Sequence, residues 1–376
     1  MDFGFSEEQE MLRRTARGML EKECPTSVVR KLMDDARGYD QELWKTLGSL
    51  GWLGLVLPEE FGGAGLSYVD LVLVLEEMGR VLLPAPFIST VVFAETIRRG
   101  ASPVRQRELL PKIAKGDLVG TLAYMEASGS YGADGIVMPA RREGNEFVLE
   151  GQKLFVPDAH VADYMTVATR TAGQGTHGIT LFAIDGKRAG LTLVPLKTMD
   201  QTCKLFEVRF DGVRATADDL LGDPDRGWRI LGPVIDRGKL MVAAEMCGGA
   251  QKAMEMAVDY AKVREQFGRP IGSYQAISHK CANMLIDVEG AKSATYAAAW
   301  AIGGDSDEAT LAVAIAKAAA SDAYRRTAAD AVQVHGGIGF TWEHDMHLYF
   351  KRSKSSEVAF GDATYNRELV AQMIGL

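Results

Sequence analysis

A carboxylate takes up a proton usefully only where its oxygen is held against the atom that releases it. Three acids in this sequence are candidates. In SSEVAFGDATYN, residues 355–366, Glu357 and Asp362 flank a Phe360-Gly361 pair, and upstream Glu245 interrupts the apolar run AAEMCGG, residues 243–249. An acid in that setting needs a partner or a task. The plain alternative for each is an ion-paired or solvated side chain, with Lys239, Lys351, Arg352 and Lys354 available as partners. Metal chemistry is not indicated: His344-Asp-Met-His347 lacks a third ligand at useful spacing, so these histidines and His335 read as surface or interface groups. Cys24, Cys203, Cys247 and Cys281 are far apart with no C-x-x-C, which argues against zinc and against a disulfide framework.

The elements that must position these groups change character along the chain. From Ser6 to about Gly116 the pattern is helical: Ser6 followed by Glu8 and Gln9 looks like a cap, and Leu43, Leu47, Leu50 and later Leu71, Leu75, Met78 recur at helical spacing. LVLPEEFGGAGLS, residues 55–67, is a loop forced by Pro58, Gly62, Gly63 and Gly65. From about Leu118 to Leu221, short runs such as EFVLEG, YMTVATR, GITLFAID and LFEVRF are punctuated by Gly, Asp and Pro. In the last of them Phe206, Val208 and Phe210 follow the two-residue period of a half-buried strand. Helices resume beyond Asp225. Leu240, Ala243, Ala244, Cys247, Ala250, Met254, Ala257 and Ala261 form one stripe. Asp305 with Glu308 is expected to cap a segment running to His335, roughly 45 Å long, before Gly336-Gly337 stop it.

Composition narrows the class. With 376 residues the chain is long enough for two or three packed units, and 47% hydrophobic with 24% charged residues is ordinary for a globular protein. A net charge of -8 excludes the basic footprint of a nucleic-acid binder. MDFGFSEEQEMLRR carries acids where a signal peptide needs a basic region, and no stretch approaches the roughly 20 apolar residues of a membrane span. A cytoplasmic location is expected.

REQFGRPIGSYQAISHKCANM, residues 264–284, and DAVQVHGGIGF, residues 330–340, resemble signatures of the acyl-CoA dehydrogenase family, as does the order helical block, β block, helical block. The resemblance implies an α+β fold: an N-terminal helical domain (1–117), a middle β-barrel-like domain (118–225) and a C-terminal four-helix-bundle domain (226–376). It implies a tetramer with FAD between the β block and the C-terminal helices, the far end of the cofactor being held by a neighbouring subunit. Carried over by position, Arg264, Gln266 and Phe267 would meet the diphosphate side with Gln275 close by, and Gln333, Gly336 and Gly337 the adenosine end. A guanidinium forks onto phosphate oxygens and glycines admit close backbone approach, although Gly336-Gly337 is equally a helix C-cap. Met125 and Phe155 match the flavin walls, Asp362 and Thr364 follow the catalytic turn on the cofactor side, and Arg237 and Lys239 are expected to meet substrate.

The sequence departs from that family where chemistry is done. A threonine-glutamate-proline loop that usually bonds the flavin is replaced by AYMEASGSYGADG, with Met125 at the threonine, and Trp-Ile-Thr by Phe155-Val156-Pro157. The glutamate that normally removes the proton next to the thioester is matched by Phe360, and the alternative glutamate position by Gly238. Glu245, seven residues beyond Gly238 and about 10.5 Å along a helix, ranks first as a displaced base, with Asp362 and Glu357 behind it. The Phe360 N–H would still meet the thioester oxygen. Small residues at Gly248 and Gly249 suggest room for a bulky, ring-bearing or branched acyl group, of fatty acid or sterol type. Three readings follow: dehydrogenation of an acyl-CoA thioester, with electrons passed to an electron-transferring flavoprotein; a non-catalytic or half-site subunit of a heteromeric tetramer; or a flavin-dependent oxidase or monooxygenase.

Overall fold

A computed structural model describes residues 4–304 and 306–376. Six helices come first: α1 (Glu7–Glu23), α2 (Thr26–Asp34), α3 (Gln41–Ser49), α4 (Tyr68–Arg80), α5 (Phe87–Gly100) and α6 (Pro103–Lys115). Eight strands follow: β1 (Gly120–Ala123), β2 (Ala140–Glu143), β3 (Glu146–Pro157), β4 (Tyr164–Arg170), β5 (Ile179–Asp185), β6 (Leu191–Pro195), β7 (Leu205–Ala215) and β8 (Leu220–Leu221). Helix α7 (Trp228–Val263) leads to a small hairpin, β9 (Glu265–Gln266) and β10 (Arg269–Pro270), and then to α8 (Gln275–Gly303), α9 (Ala309–His335), α10 (Met346–Val358) and α11 (Ala363–Met373).

The chain divides into two compact units, one comprising residues to Lys31, Ser67–Leu83 and Lys239–Leu376, the other Leu32–Leu66 and Pro84–Gly238. In the first, a helical unit, the Ser6 cap forms: its hydroxyl accepts the Gln9 N–H and the Gln9 side chain bonds back. Helix α4 buries nearly every residue, including Leu71, Leu75 and Met78, so its apolar character all round is that of a core helix. The α7 stripe from Leu240 to Ala261 is buried as expected. Helix α9 packs against α8, α10 and α11. It begins at Ala309, with Glu308 at the N-cap position making no side-chain capping bond, which corrects the expected start; Asp305 lies outside the described residues.

The second unit holds two four-stranded sheets, ordered β1-β4-β5-β8 and β2-β3-β7-β6, all pairs antiparallel except β1 with β4. One apolar core draws on both, from Met165, Val167, Phe182 and Ile184 to Phe147, Leu149, Phe206, Val208 and Phe210. The barrel-like middle segment thus takes the form of two sheets sharing a core. Phe206, Val208 and Phe210 all face it, and the register shift between Leu149 and Gly151 re-phases β7 so that Val213 and Ala215 are buried next.

Candidate functional site

In the β-containing unit a buried ion pair holds the stretch after β1. Lys153 Nζ lies 2.5 Å from Glu126 Oε1, both side chains being buried. The same oxygen accepts the Val137 and Met138 N–H groups at 3.0 Å, and Lys153 donates to Tyr124 O at 3.4 Å. Burial pushes the Lys153 ammonium down to about 8, against the pull of Glu126. One carboxylate therefore ties the loop after β1 to residues 137–138 and to β3, while the Leu154 N–H donates to Met125 O at 2.9 Å. The next residue, Phe155, sits in the irregular register between Lys153 and Val156 with φ 54° and is 52% exposed, whereas Val156 is buried. The bulge thus turns an aromatic ring outward.

Arg237 also belongs to this unit. It is buried, its Nε 3.4 Å from Glu95 and its Nη1 donating to Pro233 O at 3.1 Å. Arg98 and Arg99 share Glu95 at 2.9 and 3.1 Å, so the Arg237 charge is already engaged by a buried carboxylate.

In the helical unit, Arg264, Gln266 and Phe267 lie on and beside the β9–β10 hairpin. Its two-residue turn, Phe267-Gly268, has φ 54° and 78°. Glycine tolerates that conformation and phenylalanine does not, yet Phe267 is 93% exposed, with Tyr274 edge-on to its ring at 6.5 Å. Tyr274 Oη donates to Gln266 O at 3.0 Å, and Gln275 opens α8, exposed. At the far end of α9, Gln333, Gly336 and Gly337 are exposed, and a Cβ on either glycine would meet nothing within 4 Å. Open backbone at these glycines, and an exposed phenylalanine in left-handed backbone on the β9–β10 hairpin of the same unit, fit a flat, phosphate-bearing cofactor such as FAD. His335 and His347 correct the surface assignment: both are buried, His335 stacked on Tyr260 at 4.7 Å and His347 against Trp342 at 4.7 Å. No cluster of metal-ligating side chains occurs among the described residues.

The C-terminal turn brings several candidates together. Phe360 (φ 56°) and Gly361 (φ 106°) connect α10 to α11, and a side chain at Gly361 would collide with the Tyr365 ring. Asp362 caps α11, accepting the Tyr365 N–H at 2.7 Å, and Thr364 is exposed. Lys239 is buried with Nζ 5.6 Å from the Tyr365 ring centre. Glu357, still helical, faces Arg325 at 3.4 Å and Lys354 at 3.6 Å. Glu245 is bonded by Arg352 Nη1, a buried guanidinium, which accounts for an acid in that apolar run.

Two features escaped the sequence. Lys317 is fully buried under the Phe360 turn, donating to Glu357 O, Gly361 O and Ser321 Oγ at 3.0, 2.9 and 3.1 Å. Its only signal was a lone lysine in the run LAVAIAKAAAS. The glycines read as opening room for an acyl chain do not: a Cβ on Gly248 would collide with the Glu76 backbone of α4, and one on Gly249 with the Tyr324 hydroxyl. Those gaps are filled by close helix packing.

Comparison with known proteins covers the whole chain. Sequence models described as the N-terminal, middle and C-terminal domains of acyl-CoA dehydrogenase match residues 6–117, 122–213 and 225–375. The chain is 34% identical over 353 residues to acyl-CoA dehydrogenase IpdE2 of Mycobacterium tuberculosis, covering 93% of this chain and 92% of that one. Butyryl-CoA dehydrogenase from Megasphaera elsdenii has a similar structure, with a TM-score of 0.93, 28% identity and full coverage of both chains. A chain of the ChsE4-ChsE5 complex from Mycobacterium tuberculosis matches with a TM-score of 0.90 and 28% identity, over 100% of this chain and 99% of that one.

Proposed function

The chain belongs to the acyl-CoA dehydrogenase family, and from that premise we propose that it binds FAD and serves the α,β-dehydrogenation of a CoA thioester. FAD, when bound, supplies the acceptor for the hydride leaving the β-carbon. Phe155 and the Met125 backbone would flank the flavin, with Lys153 and Glu126 fixing the loop that carries Met125. Arg264, Gln266, Phe267 and Gln275 would meet the diphosphate, Gln333, Gly336 and Gly337 of a neighbouring subunit would meet the adenosine, and the backbone of the Phe360 turn would meet the thioester oxygen. An electron-transferring flavoprotein would serve as the electron acceptor. The observation that carries the cofactor is the pair of exposed phenylalanines, Phe155 and Phe267, each held in a left-handed backbone that costs about 1 kcal/mol or more without a ligand to repay it.

A second reading, a half-site subunit in a heteromeric tetramer, is supported by how the three acids are occupied. Glu245 answers Arg352, Glu357 answers Arg325 and Lys354, and Asp362 caps a helix. The similar chain from Mycobacterium tuberculosis belongs to the ChsE4-ChsE5 complex, which is consistent with this reading. Purifying the chain alone and recording its flavin spectrum under anaerobic addition of acyl-CoAs tests both. Bleaching by one thioester supports a complete enzyme. A flavin spectrum that bleaches only after co-expression with a glutamate-bearing relative supports the half-site, and a colourless protein in every pairing overturns both.

A further inference from the structure

Two consecutive residues in left-handed backbone, one of them phenylalanine, do not persist unless their surroundings over-determine them. Here the determinants converge from two helices. From α9, the Lys317 ammonium uses each of its three hydrogens: on Glu357 O at the end of α10, on Gly361 O after the turn, and on Ser321 Oγ one helical turn along. From α11, Asn366 Nδ2 donates to Gly361 O at 3.0 Å and to Asp362 O at 2.8 Å. The Gly361 carbonyl therefore receives two donors, one of them cationic. A buried ammonium spent wholly on main-chain oxygens and one hydroxyl is costly to install, because the groups it bonds among the described residues carry no full counter-charge. That cost buys a fixed direction for the peptide between Glu357 and Gly361.

We propose that Lys317 is the positioning residue of the thioester site: by bracketing the turn at Glu357 O and Gly361 O it fixes the Phe360 backbone and so aims the N–H that polarises the thioester oxygen. This rests on the acyl-CoA reading above, and it goes beyond it by naming the group that sets the donor's direction. Lys317 acts through the peptide it holds. The charged groups facing it are Glu357 of α10, Asp362 at the start of α11 and Lys239 of α7. Burial, with Lys239 adding to it, pushes the ammonium down to about 7 against the pull of Glu357 and Asp362, so the clamp weakens as solution turns alkaline.

The test uses the flavin-loaded protein, in its heteromeric form if that is what loads, and two probes: CoA itself, and pivaloyl-CoA, whose α-carbon has no hydrogen to lose. Binding of each is followed by perturbation of the flavin spectrum. Lys317→Met is expected to leave CoA affinity unchanged and lower pivaloyl-CoA affinity about tenfold, the value of one well-aimed hydrogen bond to a polarised carbonyl. Hydrogen exchange on the same variant without ligand is expected to speed up within residues 357–366 and nowhere else. Equal affinities of wild type and variant for pivaloyl-CoA, or unchanged exchange at that turn, overturns the proposal. Should Lys317→Met not fold, the wild-type protein suffices: the ratio of pivaloyl-CoA to CoA affinity falls between about pH 6 and about pH 9, and a flat ratio overturns the proposal. Failure of the acyl-CoA reading has a different signature, a wild-type protein whose flavin responds to neither probe at any pH, and the proposal falls with it.

Discussion

Glu245 on α7 and Arg352 on α10 form an ion pair in the helical unit, with the guanidinium buried and the carboxylate nearly so. A proton added to Glu245 would take this carboxylate's charge from Arg352 in a poorly solvated place. Removing one partner of such a pair costs about 3–5 kcal/mol, whereas replacing both by apolar groups of similar volume is often neutral. Glu245→Gln should therefore lower unfolding free energy by about 3 kcal/mol in urea titrations, and Glu245→Met with Arg352→Leu should recover most of it. The double variant also separates roles: as a counter-ion Glu245 is dispensable once Arg352 is gone, so turnover of the reconstituted enzyme should survive. A stable double variant with no turnover would favour Glu245 as the base.

The Lys153–Glu126 pair makes a second prediction, because Glu126 Oε1 also accepts two N–H groups. Glu126→Gln keeps an acceptor but leaves a buried ammonium without charge compensation. Stability should fall by about 3 kcal/mol, and because the loop carrying Met125 loses its anchor, flavin content after gel filtration should fall as well. A variant that is destabilised but fully loaded with flavin would show that this anchor has no bearing on the cofactor.

Glu76 on α4 yields a pH-dependent prediction. It is buried; Tyr296 Oη donates to its Oε2 at 2.9 Å, while its Oε1 has no partner, and burial pushes the carboxyl up to about 7. Because the folded value lies above the unfolded one, the unfolded chain loses its proton first as pH rises. The contribution to stability is complete below about 4.5 and is lost as pH climbs through about 7. Glu76→Gln retains an acceptor for Tyr296 and cannot ionise. Relative to wild type, it should gain on the order of 3 kcal/mol between about pH 4 and about pH 8, read from urea midpoints; parallel pH curves for the two proteins would refute the assignment.

These side chains mark what was legible in the sequence. Period and punctuation located the alternation of Phe206, Val208 and Phe210 and the α7 stripe, because each depends on neighbours within a turn or a strand. The Arg352 and Lys317 contacts cross 107 and 40 to 44 residues of chain, and no local pattern encodes them. Gly248 and Gly249 show the opposite failure: a missing side chain looks the same in sequence whether the space is a substrate pocket or, as here, another helix's backbone. His335 and His347 were misplaced for a related reason, since an imidazole stacked on Tyr260 or against Trp342 is buried by partners that hydropathy does not reveal.

Strain at Phe155 and Phe267 gives the sharpest separation of fold from function. Both hold φ 54°, the Phe267 ring lies almost wholly in solvent and about half of Phe155 is exposed, so packing alone does not account for either conformation. Replacement by glycine removes a penalty of about 1 kcal/mol in the folded state, partly offset by the greater freedom of glycine when unfolded. Melting temperatures of Phe155→Gly and Phe267→Gly should hence be unchanged or slightly raised, while both variants lose flavin on dialysis faster than wild type. Phe155→Leu supplies the control, since it keeps the backbone strain, lacks the aromatic face and should also lose flavin without gaining stability. Two glycine variants that melt lower than wild type and hold flavin as well would mean the rings serve the fold, and the cofactor would have to be sought elsewhere on the chain.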